Sequence, residues 1–273
     1  MAELPRRGPG CGLFPPRLGG KSIPVDADEY ILMDEAEEAM WWYRAMHAQA
    51  VDALGHARLV APAPAGHAPP APLLDAGCGT GGFLRRVRLP GAIGLEYNPA
   101  AAVRAAAKSA TPVAAGSVNA MPFAAGSFAA VASLDVLCHA GAEPAEMLAE
   151  CRRVLAPGGR LVLNLPALPW LRSAHDARVH TVRRYTRASI TADLAAAGFT
   201  AVRARYWNTL LLPLMILQRK VLSRAPDAAS DVGAFPPWLD AMLFAATRVE
   251  RAGMRLGLNF PVGGSLIVTA TRP

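Results

Sequence analysis

The sequence predicts an α/β fold, a mostly parallel sheet with helices on both faces, and three observations carry that prediction. Short apolar runs alternate with helical patterns between residues 73 and 165, the pattern of strands joined by crossover helices. The first run, Leu73-Leu74-Asp75-Ala76, breaks into a glycine-rich turn, Gly77-Cys78-Gly79-Thr80-Gly81-Gly82. The second, Gly91 to Leu95, ends on an acid, Glu96, about twenty residues past the first glycine.

The elements follow in order. Residues 1–24 are rich in Pro and Gly, carry Arg6 and Arg7 but no apolar core, and read as a disordered tail rather than a targeting segment. Residues 25–60 form an N-terminal helical cap, with helical spacing from Tyr30 to Leu59 and early acids at Asp34, Glu35, Glu37 and Glu38. Its aromatic knot, Trp41-Trp42-Tyr43, cannot face one side of a helix, so at least one ring packs inward and one is a candidate lid. A Pro/Ala linker at 61–72 leads into the main domain, 73–273. Phe83 to Val87 can start a helix. A polar insertion occupies about 166–186, and Thr186 to Gly198 is helical before an apolar strand from Phe199 to Trp207. A C-terminal helical insertion spans about 208–256, with helices near Leu210–Ser223 and Pro237–Leu256, and a last strand runs from Ser265 to Thr271.

The turn after the first strand is where chemistry is expected. Gly77, Gly79 and Gly81 admit backbone angles closed to other residues and let a ligand approach the main chain. The loop N–H groups and the helix N-terminus would face that ligand, and a carboxylate at Glu96 can accept both hydroxyls of a ribose. These residues describe a nucleoside-cofactor site. Written Gly77-x-Gly79-x-x-Gly82, the loop also meets the dinucleotide fingerprint, a weak signal alone. Asp75 discriminates: a carboxylate there can orient the loop or meet an ammonium group and gains nothing beside a pyrophosphate.

The string Asp75-x-Gly77-x-Gly79-x-Gly81 resembles motif I of the class I S-adenosylmethionine-dependent methyltransferases. Further pieces resemble the same family in order: an adenine loop at Ala115 to Phe123 with Gly126-Ser127-Phe128, a fourth strand at Val131 to Val136, a helix at Leu148 to Leu155, the turn Pro157-Gly158-Gly159, and a fifth strand at Arg160 to Leu165. The resemblance implies a Rossmann-like seven-stranded, mostly parallel sheet and S-adenosyl-L-methionine as cofactor. It places Asp75, Gly77, Cys78, Gly79, Thr80 and Gly81 on the cofactor loop and Glu96 and Tyr97 after strand two. Ser117 and Val118 fall by the adenine, and Leu134, Asp135 and His139 after strand four. Ser117 stands where the family usually has aspartate, Ala129 replaces another common aspartate, and Cys138 replaces a common glutamate.

Strand five runs into a segment dense in polar groups, which are costly to bury unpaired. Its residues Trp170, Ser173, His175 and Asp176, then His180 and Arg183-Arg184-Tyr185, resemble a bacterial, methyltransferase type 11-like subgroup, as does the Trp41-Trp42-Tyr43 helix. If the acceptor is a hydroxyl, a histidine base suits neutral pH. His175 and His180 are the candidates, with Asp176 orienting an imidazole, Tyr185 beside them and Arg183 or Arg184 holding an anionic group. The competing reading makes these residues scaffold, with Arg184–Asp176 a structural ion pair. No metal is expected, because the spacing of His175 and His180 suits no common helical ligand pair.

Bulk properties bound the rest. At 273 residues and 52% hydrophobic composition, one domain with insertions fits best. Four cysteines, Cys11, Cys78, Cys138 and Cys151, show no paired spacing and read as reduced thiols of a cytoplasmic protein. The formal net charge is +7, yet no basic run interleaves with aromatics, so no nucleic-acid partner is expected. Arg85, Arg86 and Arg88 read as a solvated helix face. The longest apolar run, Leu210 to Leu217, is interrupted by Pro213 and too short to cross a bilayer, and the stretch Tyr206 to Leu222, with Arg219, Lys220 and Arg224, admits weak peripheral membrane contact. Nothing in the sequence sets the oligomeric state. The expected activity is methyl transfer to a small-molecule or lipid-linked acceptor, oxygen ahead of nitrogen or carbon. The alternatives are a catalytically silent S-adenosylmethionine-binding protein and a nicotinamide-dependent oxidoreductase.

Overall fold

Apolar side chains spaced two apart on the central strands face opposite sides of one sheet, and that alternation builds two hydrophobic layers. The computed structural model describes residues 34–55, 72–173, 176–177, 180–218 and 235–273. Strands β1 (Leu74–Ala76), β2 (Ile93–Glu96), β3 (Val113–Ala115), β4 (Phe128–Leu134), β5 (Leu155–Pro166), β6 (Thr200–Trp207) and β7 (Ser265–Thr271) form a sheet in the order β3-β2-β1-β4-β5-β7-β6. Five strands pair in parallel, and β7 enters antiparallel between β5 and β6. On β5, Leu161, Leu163 and Leu165 point into one layer and Val162 into the other.

The helices are α1 (Trp41–Leu54), α2 (Gly82–Val87), α3 (Pro99–Ser109), α4 (Pro144–Val154), α5 (Arg187–Ala196), α6 (Leu212–Leu217) and α7 (Pro237–Arg255). Local chemistry sets their starts. The Asn98 side chain accepts from the N–H groups of Ala100 and Ala101, with Pro99 in the first turn of α3. Thr186 and Ser189 form a reciprocal capping box on α5. One layer seats Met147, Leu148 and Cys151 of α4 with Ile190 and Leu194 of α5. The other seats Met46, Ala50 and Leu54 of α1, Phe83 and Leu84 of α2, and Met254 of α7 against Ala130, Ala132 and Val162.

Several elements differ from their sequence spacing. The N-terminal helical pattern breaks at Met40, with a helical stretch at 34–39 before α1. Strand four begins at Phe128 and stops at Leu134, because Asp135 adopts φ 55°, a left-handed conformation that no strand continues through. Strand five begins at Leu155, with a register shift that absorbs the Pro157-Gly158-Gly159 turn. The tail at 1–24, most of the linker at 61–72, Cys11, His175, Arg219, Lys220 and Arg224 lie outside the described residues. Cys78, Cys138 and Cys151 are free and buried. Among the described residues no helix is long and apolar enough to cross a membrane.

Helix α1 is held at both ends. Asp240 Oδ1 accepts from Trp41 N at 2.6 Å and its Oδ2 accepts from Arg44 at 2.9 Å, while the Arg44 guanidinium lies 4.0 Å from the Phe244 ring centroid. At the other end Asp52 accepts from Arg251 and Arg255, and Arg160 donates to the Ala53 carbonyl at 2.6 Å. Asp240→Ala removes the N-terminal cap of α1 and the partner of Arg44. Urea unfolding should show a loss of about 1–2 kcal/mol; an unchanged midpoint would mean that apolar packing alone seats the helix.

Candidate functional site

The carboxyl ends of β1, β2 and β4 converge on the glycine loop. Gly77, Gly79 and Gly81 have φ of 83°, 55° and 92°. A Cβ on Gly77 would collide with the Val136 side chain, and one on Gly81 would lie 2.8 Å from Ala105 Cα. Only glycine fits these two positions. The loop's N–H groups turn inward, contrary to the sequence expectation: those of Gly77 and Cys78 reach the Leu95 carbonyl and that of Gly81 the Cys78 carbonyl. Gly79 N donates to Glu96 Oε2 at 3.0 Å, and Asn98 N to Glu96 Oε1 at 2.9 Å.

The N-terminus of α2 is filled from within the protein, also contrary to expectation. Glu37, 5% exposed, accepts from Thr80 Oγ1 and Lys108 Nζ, each at 2.6 Å. A Cβ on Gly82 would come within 2.5 Å of Glu37 Cδ. Asp34 pairs with Lys108 and Arg104, fastening the same segment to α3. Asp75, 2% exposed, adds a third carboxylate, and its Oδ2 is buried without a hydrogen-bond partner. Burial, then the charges of Glu37 and Glu96, push its pKa up to about 8. Burial also raises Glu37 despite its two donors. Three carboxylates around one loop repel a pyrophosphate and suit a ligand carrying a sulfonium and an ammonium. The orphaned Asp75 Oδ2 can take a further hydrogen-bond donor, whereas both Glu96 oxygens already accept backbone N–H groups.

At the end of β4, Asp135 is half-buried and its Oδ1 accepts from Asn164 Nδ2 at 2.9 Å. Desolvation lifts its pKa to about 7, against opposing effects of the Asn164 hydrogen bond and the Arg184 charge. Asn164 Oδ1 accepts from Trp207 Nε1 at 2.9 Å. The sequence places Asp135 beside the methionine end of the cofactor; its φ of 55° and the Asn164 hydrogen bond hold the carboxyl group at the end of β4. Around the expected adenine site, Tyr97 is 41% exposed and Leu134 and Val118 are half-buried. Ser117 Oγ accepts from Asn119 N at 3.1 Å, which closes its own turn. The Cys78 and Cys138 thiols are pushed far up by burial and stay protonated. His139 is half-buried and joined to Thr181 by a backbone bridge.

The insertion after β5 corrects the catalytic expectations. Asp176 is engaged by scaffold: Oδ1 accepts two bonds from Arg184, and Oδ2 accepts from Ser173 N at 2.8 Å. Both side chains of that ion pair are almost wholly buried. Arg184 also donates to the Ala167 carbonyl, and Arg183 to the carbonyls of His139 and Ala142, so neither guanidinium is free to grip an anionic substrate. Tyr185 is buried, donates its hydroxyl to the Leu137 carbonyl at 3.2 Å, and has its pKa raised by desolvation; it is a tie, not a base. His180 sits at φ 52° in the turn that pairs its carbonyl with Ala140 N. His175 lies outside the described residues, among which no group of three or more His, Cys, Asp or Glu could hold a metal. Arg85, Arg86 and Arg88 border an open groove of about 510 Å³ behind α2, opposite His47 and Arg251.

Residues 74–163 match a family model described as a methyltransferase domain. No curated protein matches the chain. Among solved structures, the fold matches an S-adenosylmethionine-dependent methyltransferase from Thermotoga maritima, described as a possible histamine N-methyltransferase. The identity is 16%, covering 90% of this chain and 95% of that one with a TM-score of 0.56. A complex of the Haloferax volcanii Trm112 methyltransferase activator with a methyltransferase matches at 19% identity, 92% and 100% coverage, and TM-score 0.57. Geranyl diphosphate C-methyltransferase from Streptomyces coelicolor A3(2), solved with S-adenosylhomocysteine, matches at 15% identity, 85% and 78% coverage, and TM-score 0.53.

Asp176→Ala leaves the Arg184 guanidinium buried without its carboxylate and should cost about 3–5 kcal/mol in chemical denaturation. Replacing Asp176 and Arg184 together by leucine should recover most of that loss. A stable Asp176→Ala protein would return Asp176 to the list of chemical residues.

Proposed function

We propose, for a chain that belongs to the class I S-adenosylmethionine-dependent methyltransferases, that the acceptor is a hydroxyl-bearing small molecule or lipid-linked intermediate and that Asp135 takes its proton. The observation that carries this reading is a carboxyl group at the end of β4 whose pKa of about 7 lets it hold or release a proton at neutral pH. When bound, S-adenosylmethionine supplies an electrophilic methyl group on a sulfonium, whose sulfur leaves with the electron pair as a neutral thioether. Asp75 would hold the ammonium and Glu96 the ribose hydroxyls, with the bends at Gly77, Gly79 and Gly81 admitting the ligand beside Cys78 and Thr80. Tyr97, Ser117, Val118, Leu134 and His139 would border it. Asp135 would accept the proton as the acceptor oxygen bonds the methyl carbon, and alignment of the two supplies much of the rate.

A base of this kind favours oxygen or nitrogen acceptors, which shed a proton on methylation. The lipid-linked option draws on α6, where Leu214 and Leu217 are exposed beside Leu210. Met215 of that helix crowds Gly264, whose carbonyl accepts from Ala167 N at the head of the insertion. A nicotinamide cofactor is disfavoured by Glu37, which fills the helix terminus that a pyrophosphate would use.

Calorimetric titration with S-adenosylmethionine and S-adenosylhomocysteine tests the cofactor residues. Asp75→Asn should weaken binding by about tenfold or more while raising the thermal midpoint, since it removes a buried carboxylate that lacks a full set of partners. Equal affinity in wild type and variant would overturn the role given to Asp75. Turnover with a labelled methyl donor and a panel of hydroxyl and amine acceptors tests the base. Asp135→Asn should retain S-adenosylhomocysteine binding and lose about a hundredfold or more in rate; full turnover in that variant would remove Asp135 from the chemistry.

A further inference from the structure

Asn164 is wholly buried at the end of β5 and makes two side-chain hydrogen bonds of opposite sense. Its Nδ2 donates to Asp135 Oδ1 and its Oδ1 accepts from Trp207 Nε1, both at 2.9 Å. An indole N–H only donates and a carboxylate only accepts, so the pair dictates which way the amide faces. Reversing it would set two donors against each other at Trp207 and two acceptors against each other at Asp135. Trp207 is itself fully buried and stacks on Trp42 of α1, with ring centroids 4.9 Å apart and planes at 14°. Trp41 meets the edge of Trp42 at 5.8 Å, and Asp240 fastens this end of the helix to α7.

We propose that Trp42 and Trp207 are positioning residues for Asp135: the N-terminal cap helix holds the indole, the indole sets the Asn164 amide, and the amide places the carboxylate. This inference rests on Asp135 being the base. The other groups that bear on Asp135 come from different elements, the Arg184 guanidinium after β5 and the neutral Cys138 thiol three residues on. Neither belongs to the cap. Seating of the cap and readiness of the base are therefore joined through one amide, and a cap displaced from Trp207 leaves Asp135 with a freely turning neighbour. Because the Asn164 hydrogen bond favours the ionised carboxylate, losing its orientation raises the Asp135 pKa.

The test is a carboxyl ¹³C NMR titration of the full chain labelled at aspartate, with Asp135 assigned from Asp135→Asn. Trp207→Phe keeps a ring in the stack but removes the N–H, and should raise the Asp135 midpoint by about half a pH unit or more. Trp42→Leu, which leaves the indole N–H in place, should shift it in the same direction by less, and Trp42→Phe should restore it. In an Asn164→Ala background, Trp207→Phe should add no further shift. A midpoint that moves in Asn164→Ala but stays put in both Trp207→Phe and Trp42→Leu overturns the proposal. If Trp207→Phe does not fold, the Trp42 pair decides the matter. The base reading fails separately: it falls if Asp135→Asn turns over normally, whatever the titrations show.

Discussion

Carboxylates withdrawn from water at the carboxyl edge of the sheet are the constraint around which this molecule is arranged. Asp75, Glu96 and Glu37 are buried there from β1, β2 and the N-terminal segment, and half-buried Asp135 follows β4. Burying a carboxylate without partners costs several kcal/mol, so each needs an answer. Glu96 finds two backbone N–H groups, Glu37 a lysine and a threonine, and Asp135 an oriented amide. Asp75 keeps one oxygen unanswered. In the proposed function a cationic ligand meets that deficit, which would join the tight glycine turn to the choice of an ammonium- and sulfonium-bearing cofactor.

The same arithmetic explains why the N-terminal helices are part of the core rather than an appendage. Glu37 and Asp34 tie the 34–39 stretch to Thr80 on the loop and Lys108 on α3, while α1 supplies Met46, Ala50 and Leu54 to the layer over β4 and β5. His47 on that helix is buried against Phe83, and desolvation lowers its pKa to about 3, so it stays neutral there. Detaching the cap would expose an apolar layer and strip Thr80 on the loop and Lys108 on α3 of their Glu37 partner in one event. Asp135, the proposed base, connects to the same cap through Asn164, Trp207 and Trp42.

Much of this was legible in the residues because it is local. Alternating apolar residues gave β7 its bounds at Ser265 and Thr271, and three glycines with an acid at Glu96 located the loop. Boundaries drifted where tertiary geometry intervened. Asp135 leaves the strand because its backbone turns left-handed, and Leu155 joins β5 because a register shift accommodates the following turn. Polar density leaves Asp176 and Tyr185 open between chemistry and scaffold, and the Arg184–Asp176 ion pair is the scaffold alternative already readable there. Arg184 and the Leu137 carbonyl, eight and 48 residues away, engage them. Glu37 was visible only as an acid early in a helix, and its approach to Gly82 across 45 residues of sequence had no local signal.

In the proposed function Asp75 is held mostly protonated until a cation arrives. Its folded pKa of about 8 lies above the unfolded value of 3.8, so the folded protein binds the extra proton between those values and loses stability as pH rises through that window. A bound ammonium reverses the shift and expels the proton. The direct measurement is calorimetry of S-adenosylmethionine binding near pH 7 in buffers of differing ionisation enthalpy, for wild type and Asp75→Asn. The account predicts a net release of about half a proton or more in the wild type that disappears in the variant. Binding without proton release, or with the same release in both proteins, would contradict it.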